Sequence, residues 1–156
     1  MTEKKILIAY YSFSGNTKKA ALEIQKITNG DLFEIIPSSA YPNSYNDVVN
    51  QAKKEKETKY CPELINNIDI SGYDVIFLGT PVWWYTFASP IRTFLSKNNF
   101  SNKTIIPFCT HGGGGASSTY SDMKELAQNA IFKNGYTSYE NSATENDIKT
   151  WIKNNL

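Results

Sequence analysis

Apolar residues fall along this chain in two alternating rhythms, short continuous runs and stripes at helical spacing. Ile6-Leu7-Ile8-Ala9-Tyr10 is a run of the first kind that ends at Ser12 and Gly15, the pattern of a parallel strand buried on both faces. Ala20, Ile24 and Ile27 then share a face while Lys18, Lys19, Glu23 and Lys26 point elsewhere, which predicts an amphipathic helix ending near Asn29-Gly30. Residues 32–36 give a second strand stopped by Pro37, and residues 75–78 a third stopped by Gly79 and Pro81. Pro90 opens a helix in which Ile91, Phe94 and Leu95 lie together. Residues 104–108 read as strand four, followed by a helical stripe of Met123, Leu126, Ala127 and Ala130. Residues 136–139 form a weaker fifth strand, and Thr144 with Asp147 resembles a capping box before Ile148, Trp151 and Ile152. The polar link over residues 42–71 predicts one surface helix, 47–58, with Val48, Val49 and Ala52 inside, and loop over 66–72.

Strand and helix alternate to the end, which implies an α/β domain: a parallel sheet of five strands with helices on both faces, three layers in all. The 156 residues suffice for one such domain, 1–156, with no internal repeat or interdomain linker. Sixteen basic and fifteen acidic side chains leave a formal charge of +1, so no overall field draws in nucleic acid or an anionic membrane. Arg92 is the single arginine, which further disfavours base reading. Cys61 and Cys109 are too few for a disulfide framework or a metal site and suit a reducing cytoplasm. Lys4-Lys5 followed by residues 6–11 faintly resembles a signal peptide, but the run is short and is read as the first strand. No stretch is long and apolar enough to span a bilayer, so a soluble protein is expected.

In an open α/β sheet the ligand sits beyond the carboxyl ends of the strands. After strand one comes Ser12-Phe13-Ser14-Gly15-Asn16-Thr17, where hydroxyls, an amide and a glycine lead straight into a helix start that can bind phosphate without lysine. By itself this could equally be a hydroxyl-rich helix cap. After strand three comes Thr80-Pro81-Val82-Trp83-Trp84-Tyr85, three successive aromatics that suit a planar partner or, alternatively, a subunit contact. After strand four, Thr110, His111, Gly112, Gly113, Gly114 and Gly115 precede Ala116-Ser117-Ser118, and glycines let main chain approach a ligand edge, although a flexible surface loop would look alike. All three loops lack Asp, Glu, Lys and Arg. A phosphate cradle, an aromatic wall and a glycine-rich edge reader together describe a site for flavin mononucleotide (FMN).

Other chemistries fit poorly. A nucleotide triphosphatase needs a lysine and a magnesium carboxylate, and Gly15-Asn16-Thr17 offers neither. The run Gly112 to Ser117 follows strand four and lacks the last glycine of a dinucleotide fingerprint. A phosphorylated receiver would need acidic residues where Tyr10, Tyr11 and Thr80 stand. Cys109 is expected in the core rather than as a nucleophile. His111, the single histidine, either donates a hydrogen bond to a flavin or terminates the strand. No catalytic residue or metal ligand is assigned.

Over essentially its whole length the chain resembles the flavodoxins, and more closely those flavodoxin-like proteins with a Trp-Trp pair after strand three. The resemblance rests on Ser12-Phe13-Ser14-Gly15-Asn16-Thr17, on Gly79-Thr80-Pro81-Val82-Trp83-Trp84, and on Pro107-Phe108-Cys109-Thr110-His111-Gly112-Gly113. It implies a doubly wound sheet ordered 2-1-3-4-5, FMN phosphate on Ser12, Ser14, Gly15, Asn16 and Thr17, and ring contacts from residues 81–85 and 110–115. It further implies a soluble electron carrier that meets redox partners, a reductase donor and an acceptor, at the exposed flavin edge. Two departures matter: low-potential carriers are strongly acidic whereas this chain is nearly neutral, and residues 112–118 lack the usual second aromatic ring. These departures keep an alternative open, an NAD(P)H-dependent FMN oxidoreductase that reduces quinones or nitro compounds on an open flavin face.

Overall fold

The computed structural model describes residues 4–156. β1 (Ile6–Tyr10) lies inside the sheet, its apolar residues facing both sides, and it pairs in parallel with β2 (Asp31–Glu34) and β3 (Val75–Trp83). β3 also carries a short antiparallel partner, β4 (Thr86–Phe87), and on its far side pairs in parallel with β5 (Thr104–His111). β5 then pairs along its length with two short strands, β6 (Ile131–Phe132) and β7 (Tyr136–Tyr139). The rows run β2-β1-β3-β5 and then β6 and β7, which is the expected 2-1-3-4-5 order with extra short strands.

Among the described residues, five helices connect and cover these strands: α1 (Asn16–Thr28), α2 (Tyr45–Thr58), α3 (Ser89–Lys97), α4 (Thr119–Leu126) and α5 (Glu145–Asn155). Alternation along the strands divides the core in two. Ile8, Val75, Phe77, Ile106 and Phe108 meet Ala20, Ala21 and Ile24 of α1 and Ile148, Trp151 and Ile152 of α5. On the other face Leu7, Ala9, Ile76, Leu78 and Ile105 meet Val48 of α2, Ile91, Phe94 and Leu95 of α3, and Met123 of α4. Right-handed crossovers put helices on both faces, and each then buries one apolar stripe. As expected, the Thr144 side chain caps α5 by accepting from the Asp147 N–H at 3.2 Å.

Four elements depart from the sequence reading, each for a local reason. Gly79 and Pro81 do not stop β3. A Cβ on Gly79 would lie 2.2 Å from the Phe108 ring, so the glycine marks a close approach between paired strands rather than a turn. Pro81 falls beyond Gly79, the last residue paired with β1, where a missing N–H costs no ladder bond on that side. Strand four likewise runs past residue 108 to His111 because β3 extends beside it. The predicted stripe to Ala130 is cut short: the Ala127 N–H closes onto Met123 and Lys124 carbonyls, and Ile131 is drawn into the sheet by the Lys103 carbonyl. Finally, β6 and β7 are separated where the Tyr120 ring fills the space above Gly135.

No helix among the described residues is long and apolar enough to cross a membrane.

Candidate functional site

Strand register fixes where the three loops emerge. Tyr10 lies beside Gly79, and Gly79 beside Phe108, so the chain leaves β1, β3 and β5 on one edge of the sheet. The first loop curls around the Ser12 hydroxyl, which accepts the N–H of Gly15 at 3.2 Å and of Lys18 at 3.1 Å. Gly15 stands immediately before α1 at φ 100°, a left-handed conformation that glycine adopts without a steric penalty. Among the described residues, the N–H groups of Phe13, Ser14, Asn16 and Thr17 meet no acceptor. These free donors at a helix start form an anion cradle, reinforced by the helix dipole. Phe13 and Ser14 are exposed and Asn16 is half-buried, whereas Thr17 is buried, its hydroxyl 2.8 Å from that of Thr110. That contact ties the first loop to the third.

The second loop is a hairpin rather than an irregular segment. β3 runs to Trp83, Trp84 and Tyr85 form the two-residue turn, and β4 returns opposite. Both turn residues have positive φ, 52° and 69°, costly for side chains bearing a Cβ. Several tethers hold them. The Trp84 indole N–H donates to the Val49 carbonyl at 2.8 Å, Lys56 donates to the Trp84 carbonyl at 2.6 Å, and the Ser118 N–H donates to the Tyr85 carbonyl at 3.0 Å. The Ser118 hydroxyl sits between that carbonyl and the Asp122 carboxylate, so the hairpin is fastened to the end of the glycine loop. Trp83 packs edge-on against Tyr41, Tyr11 and Phe13, at 5.0, 5.6 and 5.7 Å between centroids. Pro81 and Val82 are half-buried. Thr80 has no exposed surface, and its hydroxyl donates to the Pro81 carbonyl and accepts the Ala88 N–H, so this residue braces the hairpin from below.

In the third loop, His111 has a defined task. Its Nδ1 accepts the N–H of Gly113 at 3.0 Å and of Gly115 at 3.1 Å, which places the ring proton on Nε2 and folds the glycine run over the imidazole. Gly112, Gly113 and Gly114 are exposed and Gly115 half-buried. Thr110 is buried against Thr17. Cys109 is buried as expected, and burial pushes its thiol up despite contacts to Tyr120 and Thr137 that act the other way. It packs as a core residue, as expected.

The sequence reading missed a carboxylate beside this site. Glu55 on α2 is the buried acidic residue among those described; it accepts the Tyr41 hydroxyl at 2.6 Å and the Gln51 amide at 3.0 Å. Burial, and secondarily Glu55, pushes the Tyr41 and Tyr11 phenols far above their ordinary value. The signal was present: Glu55 continues the inward stripe of Val48 and Ala52. A cavity of about 290 Å³ is lined by residues such as Phe33, Leu64 and Phe94, none belonging to the three loops. The sheet edge where the three loops meet is shaped by main chain and aromatic rings.

A doubly wound sheet with an anion cradle, an aromatic hairpin and a glycine loop at one edge defines a protein of the flavodoxin-like class. The chain belongs to the flavodoxin family, whose profile matches residues 5–155. Among solved structures, one assigned as a flavoprotein from Bacteroides eggerthii is 29% identical, with TM-score 0.87 and 97% of each chain covered. A flavoprotein from Lactobacillus acidophilus, solved in complex with FMN, is 28% identical with TM-score 0.78, covering 96% of this chain and 99% of that one. Oxidised Flavodoxin 2 from Bacillus cereus, 18% identical with TM-score 0.58 over 96% of this chain and 93% of its own, shares the fold. No curated protein matches. FMN is the cofactor that the family and the Lactobacillus complex support, and the free N–H groups of the first loop, the aromatic hairpin and the bare glycine backbone fit its phosphate and ring.

Proposed function

We propose that this chain is a soluble electron-transfer protein that binds one FMN non-covalently and serves redox protein partners, a reductase donor and an acceptor. The observation that carries this reading is the meeting of three uncharged loops at one sheet edge around unpaired N–H groups of the α1 start. Bound FMN supplies one- and two-electron chemistry. The N–H groups of Phe13, Ser14, Asn16 and Thr17 receive the phosphate, with the Ser14 hydroxyl and Asn16 amide beside them and Ser12 holding the loop in shape. Pro81, Val82, Trp83, Trp84 and Tyr85 supply the wall against the ring system. Gly112, Gly113, Gly114 and Gly115 present main chain to its polar edge, and His111 positions them while keeping an Nε2 proton to donate. Thr80, Thr17 and Thr110 act through the backbone they brace, because their side chains are buried.

A second reading, an NAD(P)H-dependent FMN oxidoreductase acting on quinones or nitro compounds, draws support from the exposure of Gly112 to Gly114, which carry no ring over the site. One experiment separates the two. FMN fluorescence is titrated with apoprotein, and the holoprotein is then mixed anaerobically with NADPH and with NADH while the visible flavin band is followed. Quenching with no bleaching by either nucleotide supports the carrier, and rapid bleaching supports the oxidoreductase. Absence of quenching would remove both.

A further inference from the structure

The three loops are uncharged, but the rim beside the hairpin is not. Lys53 lies over the Trp84 ring at 5.4 Å and Lys56 over the Tyr85 ring at 5.6 Å, both from the second half of α2. Arg92 of α3 stacks on Phe87 of β4 at 5.2 Å and shares with Lys56 a narrow cleft bounded by Trp83, Thr86 and Ser89. The ring faces attract these cations electrostatically. None has a carboxylate within ion-pair distance among the described residues; the two ion pairs found there both use Glu145, with Lys26 and Lys149. Lys54 and Lys59 are also exposed on α2 or at its end. The acidic residues of α2 are Asp47 in its first turn and Glu57, both exposed, and Glu55, buried against Tyr41, while Asp122 of α4 is engaged by Thr86 and Ser118. Glu140 follows β7, next to the glycine loop and not the hairpin. Tyr85, 62% exposed, lies under Lys56 at the hairpin turn as an aromatic anchor.

We infer that Lys53, Lys56, Arg92 and Tyr85 form a docking face for an acidic redox protein, the opposite polarity to the acidic face that carriers of this kind use. The inference rests on the electron-transfer reading above. Cations pinned on rings and without a carboxylate partner among the described residues can pair with carboxylates across an interface, and such pairs steer association at low salt. The acidic partner would meet the chain at the hairpin, beside the flavin edge.

The test uses two forms of one acceptor, native cytochrome c, which is basic, and succinylated cytochrome c, whose lysines have become carboxylates. FMN binding is measured first, by fluorescence, for wild type and for a Lys53→Glu/Arg92→Glu variant that leaves Lys56 on the hairpin. The holoproteins are then reduced anaerobically, and transfer of one electron to ferric haem, giving ferrous haem, is timed at the haem band. At about 10 mM salt the wild type should favour the succinylated form at least about threefold more than at about 0.5 M, where charges are screened. In the variant that preference should vanish or reverse. An unchanged preference in an FMN-loaded variant, or a wild-type preference for the basic form, overturns the docking face alone. Failure of the wild type to bind FMN overturns the reading beneath it and the face with it.

Discussion

Trp83 and Trp84 are neighbours in sequence and face different partners. The Trp84 indole is bonded to α2 through Val49, whereas the Trp83 ring stands among Tyr11, Tyr41 and Phe13, the last of these from the phosphate loop. Trp83 is therefore the ring that links the cradle to the aromatic wall. Trp83→Ala should weaken FMN binding at least about tenfold, or roughly 1.4 kcal/mol, and Trp84→Ala by less than about threefold, as read by fluorescence titration. The opposite order would put Trp84 against the cofactor. Residue types announced this site, since hydroxyls, aromatics and glycines mark their loops on sight. Pairings did not: Thr17 meets Thr110 across ninety-three positions, and nothing local says that Thr80 turns inward to brace a hairpin. Side-chain direction is set by tertiary packing, which one strand's pattern does not contain.

At the scale of elements, long apolar runs and helical stripes were legible because burial on two faces or one leaves a direct mark on composition. Boundaries failed where glycine and proline served packing instead of turning the chain. Gly79 makes room for Phe108 within β3, and the real turn is built from Trp84 and Tyr85, residues that carry no turn signal. Such a hairpin holds only because α2 and Ser118 clasp it. If Tyr85 bears left-handed strain, glycine there should outperform alanine. Tyr85→Gly is expected to leave the apoprotein about 1 kcal/mol more stable than Tyr85→Ala in urea unfolding, since only alanine retains a Cβ at φ 69°. Inside regular helix or strand the order would be reversed, so equal or inverted stabilities would mean that the turn relaxes.

Across the whole molecule, tyrosines are used as internal packing more than as surface. Six of the ten have phenols pushed above their ordinary value, Tyr10, Tyr11, Tyr41, Tyr73, Tyr120 and Tyr136. Burial is the leading cause except at Tyr73, where the hydrogen bond to Asp31 comes first and raises it to about 12. Tyr10, at the end of β1, is also raised to about 12, by burial and then Glu34. Each of these groups holds its proton more tightly folded than unfolded. Below the unfolded value near 10 both states are protonated and the associated stability is fully present; as pH climbs from there through the folded values, the unfolded chain loses protons first and the fold loses stability. Tyr11, Tyr41 and Tyr73 are buried in the core on one face of the sheet and Tyr10 in that on the other, with Tyr120 and Tyr136 packed against them. Alkaline unfolding should therefore begin above about pH 10, with phenolate absorbance at these residues rising together with the loss of far-ultraviolet circular dichroism. Phenolate signals from all ten tyrosines appearing at about pH 10 with helix and sheet intact would show that the phenols are not held inside. Bound FMN, by stabilising only the folded chain, should move the whole transition to higher pH, and the displacement should grow with ligand concentration.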